Sequence, residues 1–249
     1  MADYRNEYQT RVAPAPGTGA RTDVQYDEGL RSYMLGIYNY MATALAVTGI
    51  SAIGLATWAQ SNPAVANAVY NSPLKWVLML APLAFVMVIS FGSSKLSKSA
   101  ATGVFYAFAA VMGASMSWIF MVYSLGSISQ TFFVTAAAFA GLSLYGYTTK
   151  RVLSGMGSFL MMGLIGLIIA MVVNIFLQSS ALGFAISVIG VLIFAGLTAY
   201  DTQRLKHMYD SVAHNGEMMA KASILGALSL YLNFVNMFMF LLSFLGNRE

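Results

Sequence analysis

The chain has no cysteine, which excludes disulfides, thiolate metal sites and cysteine nucleophiles. It has two histidines, His207 and His214, which leaves little for a zinc or haem site. Both lie in a polar stretch and read as solvated side chains, not ligands. Charge is scarce as well. Asp, Glu, Lys and Arg make up 9% of the residues, against about 25% in a soluble domain. Such a chain cannot clothe a globule in charge, so the solvent for most of it must be lipid. The basic residues come in ones and twos between apolar stretches, which excludes a nucleic-acid surface. There is no Ser-His-Asp set, no phosphate-cradling glycine loop and no pair of acids suited to hydrolysis. Nothing in the residues supports an enzyme or a resident cofactor.

What is present is apolar: 58% of the residues are hydrophobic and the mean hydropathy is +0.69. Residues Met1 to about Arg31 stand apart, with Pro14, Pro16, Gly17, Gly19 and mixed charges. They read as a disordered tail. The tail lacks an apolar core followed by a small-residue cleavage site, so it is not expected to be a secretory signal. Beyond it, no charged residue falls between Arg31 and Lys75, Lys75 and Lys95, Lys98 and Lys150, Arg151 and Asp201, or Lys221 and Arg248. A helix needs about 20 residues to cross the hydrocarbon. The gaps from Lys98 to Lys150 and from Arg151 to Asp201 therefore each predict a pair of spans. The reading is an all-α integral membrane protein with seven transmembrane helices, over 33–58, 74–92, 100–123, 130–148, 156–177, 182–203 and 222–245. Turn signals fall between them at Ser61-Asn62-Pro63, Asn71-Ser72-Pro73, Gly126 and Gln178-Ser179-Ser180.

Orientation follows from Lys and Arg alone. With a cytoplasmic tail, the inside segments hold Arg5, Arg11, Arg21, Arg31, Lys95, Lys98, Lys150, Arg151, Arg204, Lys206 and Lys221, and the outside holds only Lys75 and Arg248. The N-terminus is expected inside and, after seven spans, the C-terminus outside.

Asp201 ends an apolar run long enough to cross a bilayer. At about 100° per residue it shares a helix face with Gly183 and nearly shares one with Ser187 and Gly190. Small residues mark the side of a membrane helix that meets its neighbours, so Asp201 is expected to point into the bundle. An acid there predicts a proton or cation site. The competing reading is a helix-end acid paired with Arg204 at i+3 and half in water. On the last span, Gly226, Ser229, Asn233, Asn236 and Ser243 form one stripe. It either lines a cavity opposite Asp201 or supplies interhelical hydrogen bonds, worth about 0.6 to 2 kcal/mol each. Gly163, Gly166, Ala170 and Asn174 form a stripe on the fifth span, and Gly113 with Ser117 a small pair on the third. Both suggest close packing. Pro82 is expected to kink the second span. Trp118 and Tyr145-Gly146-Tyr147 suit either a membrane interface or the core.

Three separated runs carry a resemblance: Ser143 to Arg151 (SLYGYTTKR), Gly157 to Ala170 (GSFLMMGLIGLIIA) and Ala199 to Gln203 (AYDTQ). Together they resemble the Bax inhibitor family, its bacterial branch most closely, from about Tyr33 to Gly246. The resemblance implies six helices wrapped around a central seventh. It implies a pH-dependent calcium leak in a bacterial inner membrane, with calcium as transported ion, and in some relatives association with a membrane protease. In that family the acid at Asp201 pairs with a second aspartate on the last helix, at the position of Asn233. Two close carboxylates share a proton because both cannot ionise cheaply. The Asp201–Asn233 pair lacks that repulsion and offers a cation one formal charge instead of two. Calcium passage is therefore expected to be weaker or less pH-sensitive than the family pattern. The gate and ion residues implied are Asp201, Asn233 and Asn236, with Arg204 as ion-pair partner. The alternative is a non-conducting regulator docked on another membrane complex through its tail and Thr202–Lys221.

Overall fold

The computed structural model describes residues 18–92 and 96–247, with side chains left aside for 18–26, 90 and 91. The disorder expected of residues 1–17, and the basic residues Arg5, Arg11, Lys95 and Arg248, lie outside them. The described chain is helical almost throughout. Helix α1 spans Thr18–Ser61. The side chain of Asn62 then accepts hydrogen bonds from Ala64 and Val65 and starts the short α2, Pro63–Ala66. A π-helical turn, Asn67–Asn71, leads to α3, Leu74–Gly92, which contains Pro82. Next come α4, Lys98–Met116, capped by Ser97, and the single turn α5, Ile119–Val122. Helix α6, Leu125–Thr148, is capped by Ser124. Helix α7 is Ser154–Leu177. Gln178 turns the chain with a left-handed φ of 49°, and Ser179 caps α8, Ser180–Val212. Asn215 caps α9, Gly216–Leu245.

Six of these stretches are long and apolar enough to cross a membrane: Asp27–Ser61, Lys98–Val122, Leu125–Thr148, Ser154–Leu177, Ser180–Val212 and Gly216–Leu245. The expected second span, 74–92, coincides with α3, of which the stretch Leu74–Ile89 is shorter than a span. Leu74–Ile89 qualifies only together with Pro63–Asn71, across a bend of 60°. The prolines at 63 and 73 interrupt the helix there. Other boundaries moved. The first helix reaches back to Thr18, into the segment read as tail. Its apolar part, Asp27–Ser61, is 35 residues long. The third span breaks after Met116, and the fourth begins at Leu125, so Gly126 lies inside a helix and not in the turn. Most consequentially, α8 runs on to Val212 and α9 starts at Gly216. The stretch Thr202–Lys221 is therefore a tight helical hairpin, and Asp201 is well inside a helix, not at its end.

The core sits around α9. In its membrane-length window 61% of residues are buried, against 11% in α7. α9 packs on α8, α1, α6 and α4, whereas α3 packs chiefly on α4 and α7 chiefly on α8. The expected ring of six is thus four immediate neighbours with two outer helices. Phe159, Met162, Ile165, Ile169 and Phe176 on α7 are exposed, as are Trp76, Leu80 and Leu83 on α3. Outward apolar faces of this kind suit hydrocarbon and not water. Inside, Tyr231 of α9 is fully buried and shares a 2.7 Å hydrogen bond with Thr48 of α1. It meets Phe105 and Phe108 of α4 edge-on, at centroid distances of 6.2 and 5.4 Å.

Two glycines set the closest helix approaches. A Cβ on Gly113 would overlap the Thr48 carbonyl oxygen where α4 crosses α1, and one on Gly146 would overlap that of Ala199 where α6 crosses α8. The stripe on α7 is different. Gly163 lies against Ile193, but nothing stands within 4 Å of a Cβ on Gly166, and Asn174 turns to cap the α7–α8 turn by accepting a hydrogen bond from Ser179.

Candidate functional site

Asp201 is 6% exposed and points from α8 at α9. Ser229 and Asn233, four residues apart on α9, present their side chains to it on one face. Ser229 Oγ donates to Asp201 Oδ2 at 2.7 Å, and Asn233 Nδ2 donates to the same oxygen at 2.8 Å. The other oxygen, Oδ1, pairs with the Arg204 guanidinium at 3.0 Å. Arg204 also donates to Ser229 Oγ at 3.3 Å and lies over the Tyr200 ring at 5.8 Å. The two expectations for where Asp201 sits each hold in part. It is buried in the bundle, and it carries the i+3 pair. A carboxylate is tolerable here because two neutral donors and one cation replace its water.

The neighbours of Asp201 explain the motif around it. Tyr200 covers Gly157 of α7, where a Cβ would run into the ring. Thr202 Oγ1 donates to Ser143 Oγ of α6 at 3.4 Å. Gln203 clamps the α6–α7 turn twice: its Oε1 accepts from Leu153 N and its Nε2 donates to the Arg151 carbonyl, both at 2.8 Å. Four consecutive residues thus hold four different parts of the bundle in register. Sequence reading gave Gln203 and Ser143 no role. The available signal was position: Gln203 closes the expected sixth span, and Ser143 is a polar residue inside the expected fourth.

Asn236 is not part of this group. Its Nδ2 donates to the Leu232 carbonyl of its own helix at 2.8 Å. It faces a cavity of about 970 Å³, shared with Asn174, Ser187, Ser243 and Met239. Ser187 donates to Ser243 there at 3.2 Å. The stripe on α9 thus divides: Ser229 and Asn233 serve Asp201, while Asn236 and Ser243 serve the cavity nearer the other end of α9. Leu197, one turn before Asp201 on α8, and Met237, one turn after Asn233 on α9, are buried between the two levels. Tyr33 of α1 was not foreseen either. It is buried, packs on Tyr209 at 5.6 Å, and its hydroxyl has no hydrogen-bond partner among the described residues.

Among the described residues, no three His, Cys, Asp or Glu side chains gather as a metal site. Calcium takes six to eight oxygens. Asp201 supplies two, and both are already engaged.

Comparison with known proteins finds relatives along most of the chain. A family model described as "Inhibitor of apoptosis-promoting Bax1" matches residues 30–249. An uncharacterized protein of Caulobacter vibrioides is 47% identical over 259 residues, covering 100% of both chains. The inner membrane protein YbhL of Escherichia coli K12 is 44% identical over 228 residues, covering 91% of this chain and 96% of its own. An uncharacterized protein of Rickettsia prowazekii is 45% identical over 224 residues, covering 90% and 93%.

Proposed function

The chain belongs to the Bax inhibitor family of membrane proteins, and from that premise we propose that it is a cation leak of the bacterial inner membrane, calcium foremost, gated at Asp201. The reading takes the bent pair Pro63–Asn71 and Leu74–Ile89 as the seventh span, with the N-terminus cytoplasmic and the C-terminus outside. The inner-membrane assignment follows the relative from Escherichia coli.

One observation carries the proposal: a buried carboxylate bonded at once to Arg204, Ser229 and Asn233 across the α8–α9 seam. A cation moving along that seam must take the carboxylate from Arg204. The guanidinium is a tethered substitute for the cation, and the filled seam beyond Asn233 is the shut state. Because Asn233 stands where the family carries a second acid, this gate lacks a shared proton, and its response to pH is weak. The test is calcium flux into liposomes holding the purified protein. Wild type is expected to conduct and Asp201→Asn to lose most of the flux. Equal flux in the two removes Asp201 from the pathway.

A second reading rests on the same bonds. With both oxygens of Asp201 engaged, the α8–α9 pair also suits a rigid, non-conducting regulator that docks on a membrane protease or another membrane complex. Deleting residues 1–30 separates the readings. Lost partner association with flux intact shows two separable roles, and no flux in either form favours the regulator.

A further inference from the structure

On α1, Asp27, Arg31, Met34, Tyr38 and Met41 recur at spacings of four, three, four and three, so they form one stripe. On α6, Ala136, Ala140, Ser143 and Tyr147 do the same. The two stripes face one slot, of about 900 Å³. α1 and α6 hardly touch one another, although both pack on α9. Phe139 and Phe234 form the floor. Small residues at 136 and 140 keep the slot open where larger ones would close it.

Its dimensions match one half of a bilayer. From Arg31 to Ala42 on α1, and from Ala136 to Tyr147 on α6, the lining runs about 16 Å along each helix. Half of the hydrocarbon core is about 15 Å. The slot is apolar along that length and charged at one end only, where Asp27 and Arg31 lie exposed. Among the described residues the ion pairs are Asp201–Arg204 and Glu217–Lys221, so neither Asp27 nor Arg31 has a charged partner there. They stand four residues apart on one face, yet they are not paired with each other.

From this geometry we infer that the slot between α1 and α6 holds one phospholipid of the adjoining leaflet. The head group carries both a phosphate and an ammonium, as in phosphatidylethanolamine. The acyl chain lies on Phe139 and Phe234, the phosphate meets Arg31, and the ammonium meets Asp27. A basic residue at the mouth of a pocket between helices binds a lipid phosphate. The adjacent carboxylate repels a head group with net negative charge and attracts a cationic amine. The inference does not depend on whether the protein conducts.

The test uses the full-length protein in nanodiscs of equal phosphatidylethanolamine and phosphatidylglycerol, extracted into mild detergent and weighed intact by native mass spectrometry. Wild type is expected to retain one phosphatidylethanolamine in preference to phosphatidylglycerol. Arg31→Gln lowers that retention about fivefold, the usual worth of one basic residue at a lipid surface. Asp27→Asn keeps a lipid but loses the preference. Ala140→Trp, which fills the slot, removes the lipid. Both charge variants lie at exposed positions, so the test stands even if Ala140→Trp fails to fold. Equal retention of the two lipids by wild type overturns the inference, as does retention unchanged in Arg31→Gln. A rise in bound lipid on deleting residues 1–17 also overturns it, because the chain's own tail would then be the occupant.

Discussion

The behaviour of the site turns on one carboxylate and the identity of its neighbours. Asp201 is bonded to Ser229 and Asn233 at 2.7 and 2.8 Å and to Arg204 at 3.0 Å. Replacing Asn233 by Asp puts a second carboxylate at hydrogen-bond distance from the first. Both cannot ionise cheaply, so the pair holds a shared proton and releases it as pH rises. Calcium flux in Asn233→Asp liposomes is expected to depend on pH more strongly than in wild type. An identical profile in the two proteins contradicts the shared-proton account. Tyr33 gives a prediction of another kind. Its buried hydroxyl has no partner among the described residues, and an unmet buried donor costs about 1 to 3 kcal/mol. Tyr33→Phe removes it with little change of shape. Thermal unfolding in detergent should find the variant as stable as wild type or more so. A clear loss of stability would show that the hydroxyl is bonded.

At the scale of helices, small residues decide how close the elements come. Gly146→Ala sets a methyl group against the Ala199 carbonyl oxygen and has to push α6 off α8, next to the Thr202–Ser143 bond and about one turn from Gln203. Despite the better helix propensity of alanine, unfolding measurements are expected to show a loss of about 1 to 3 kcal/mol. Gly166→Ala, in open space, serves as the control and costs nothing. These same helices show how far the sequence could be read. The charge-free gaps between basic residues made the helical membrane architecture plain, because charge is excluded from hydrocarbon and little else sets that spacing. The inward face of Asp201 and its meeting with Asn233 were also legible, from helical periodicity together with the family resemblance. The ends of α8 and α9 were not. Polarity after Asp201 reads as a loop, yet Gln203, Leu205 and Tyr209 are buried against other elements and keep the helix going. Asn236 was misplaced because a stripe on one face cannot tell which of two neighbours each residue meets. The α2–α3 bend was hidden because prolines mark a break without giving its angle.

As a whole the molecule is a buried α9 wrapped by apolar helices, with polar groups at two levels along one seam. The absence of cysteine makes its topology directly measurable with single introduced cysteines. Ser61→Cys, at the end of α1, and Thr149→Cys, after α6, are expected to react with an impermeant thiol reagent from opposite faces of the membrane. Labelling of both from one face would contradict the seven-span arrangement. The most direct test of the central claim compares opposite changes at the gate. Calcium flux into liposomes is measured for wild type, Arg204→Ala and Asp201→Asn at equal protein density. If the guanidinium occupies the place of a passing cation, Arg204→Ala raises flux about tenfold, the worth of a contact of about 1.4 kcal/mol, while Asp201→Asn suppresses it. Flux that falls in Arg204→Ala, or stays level in both variants, contradicts the account.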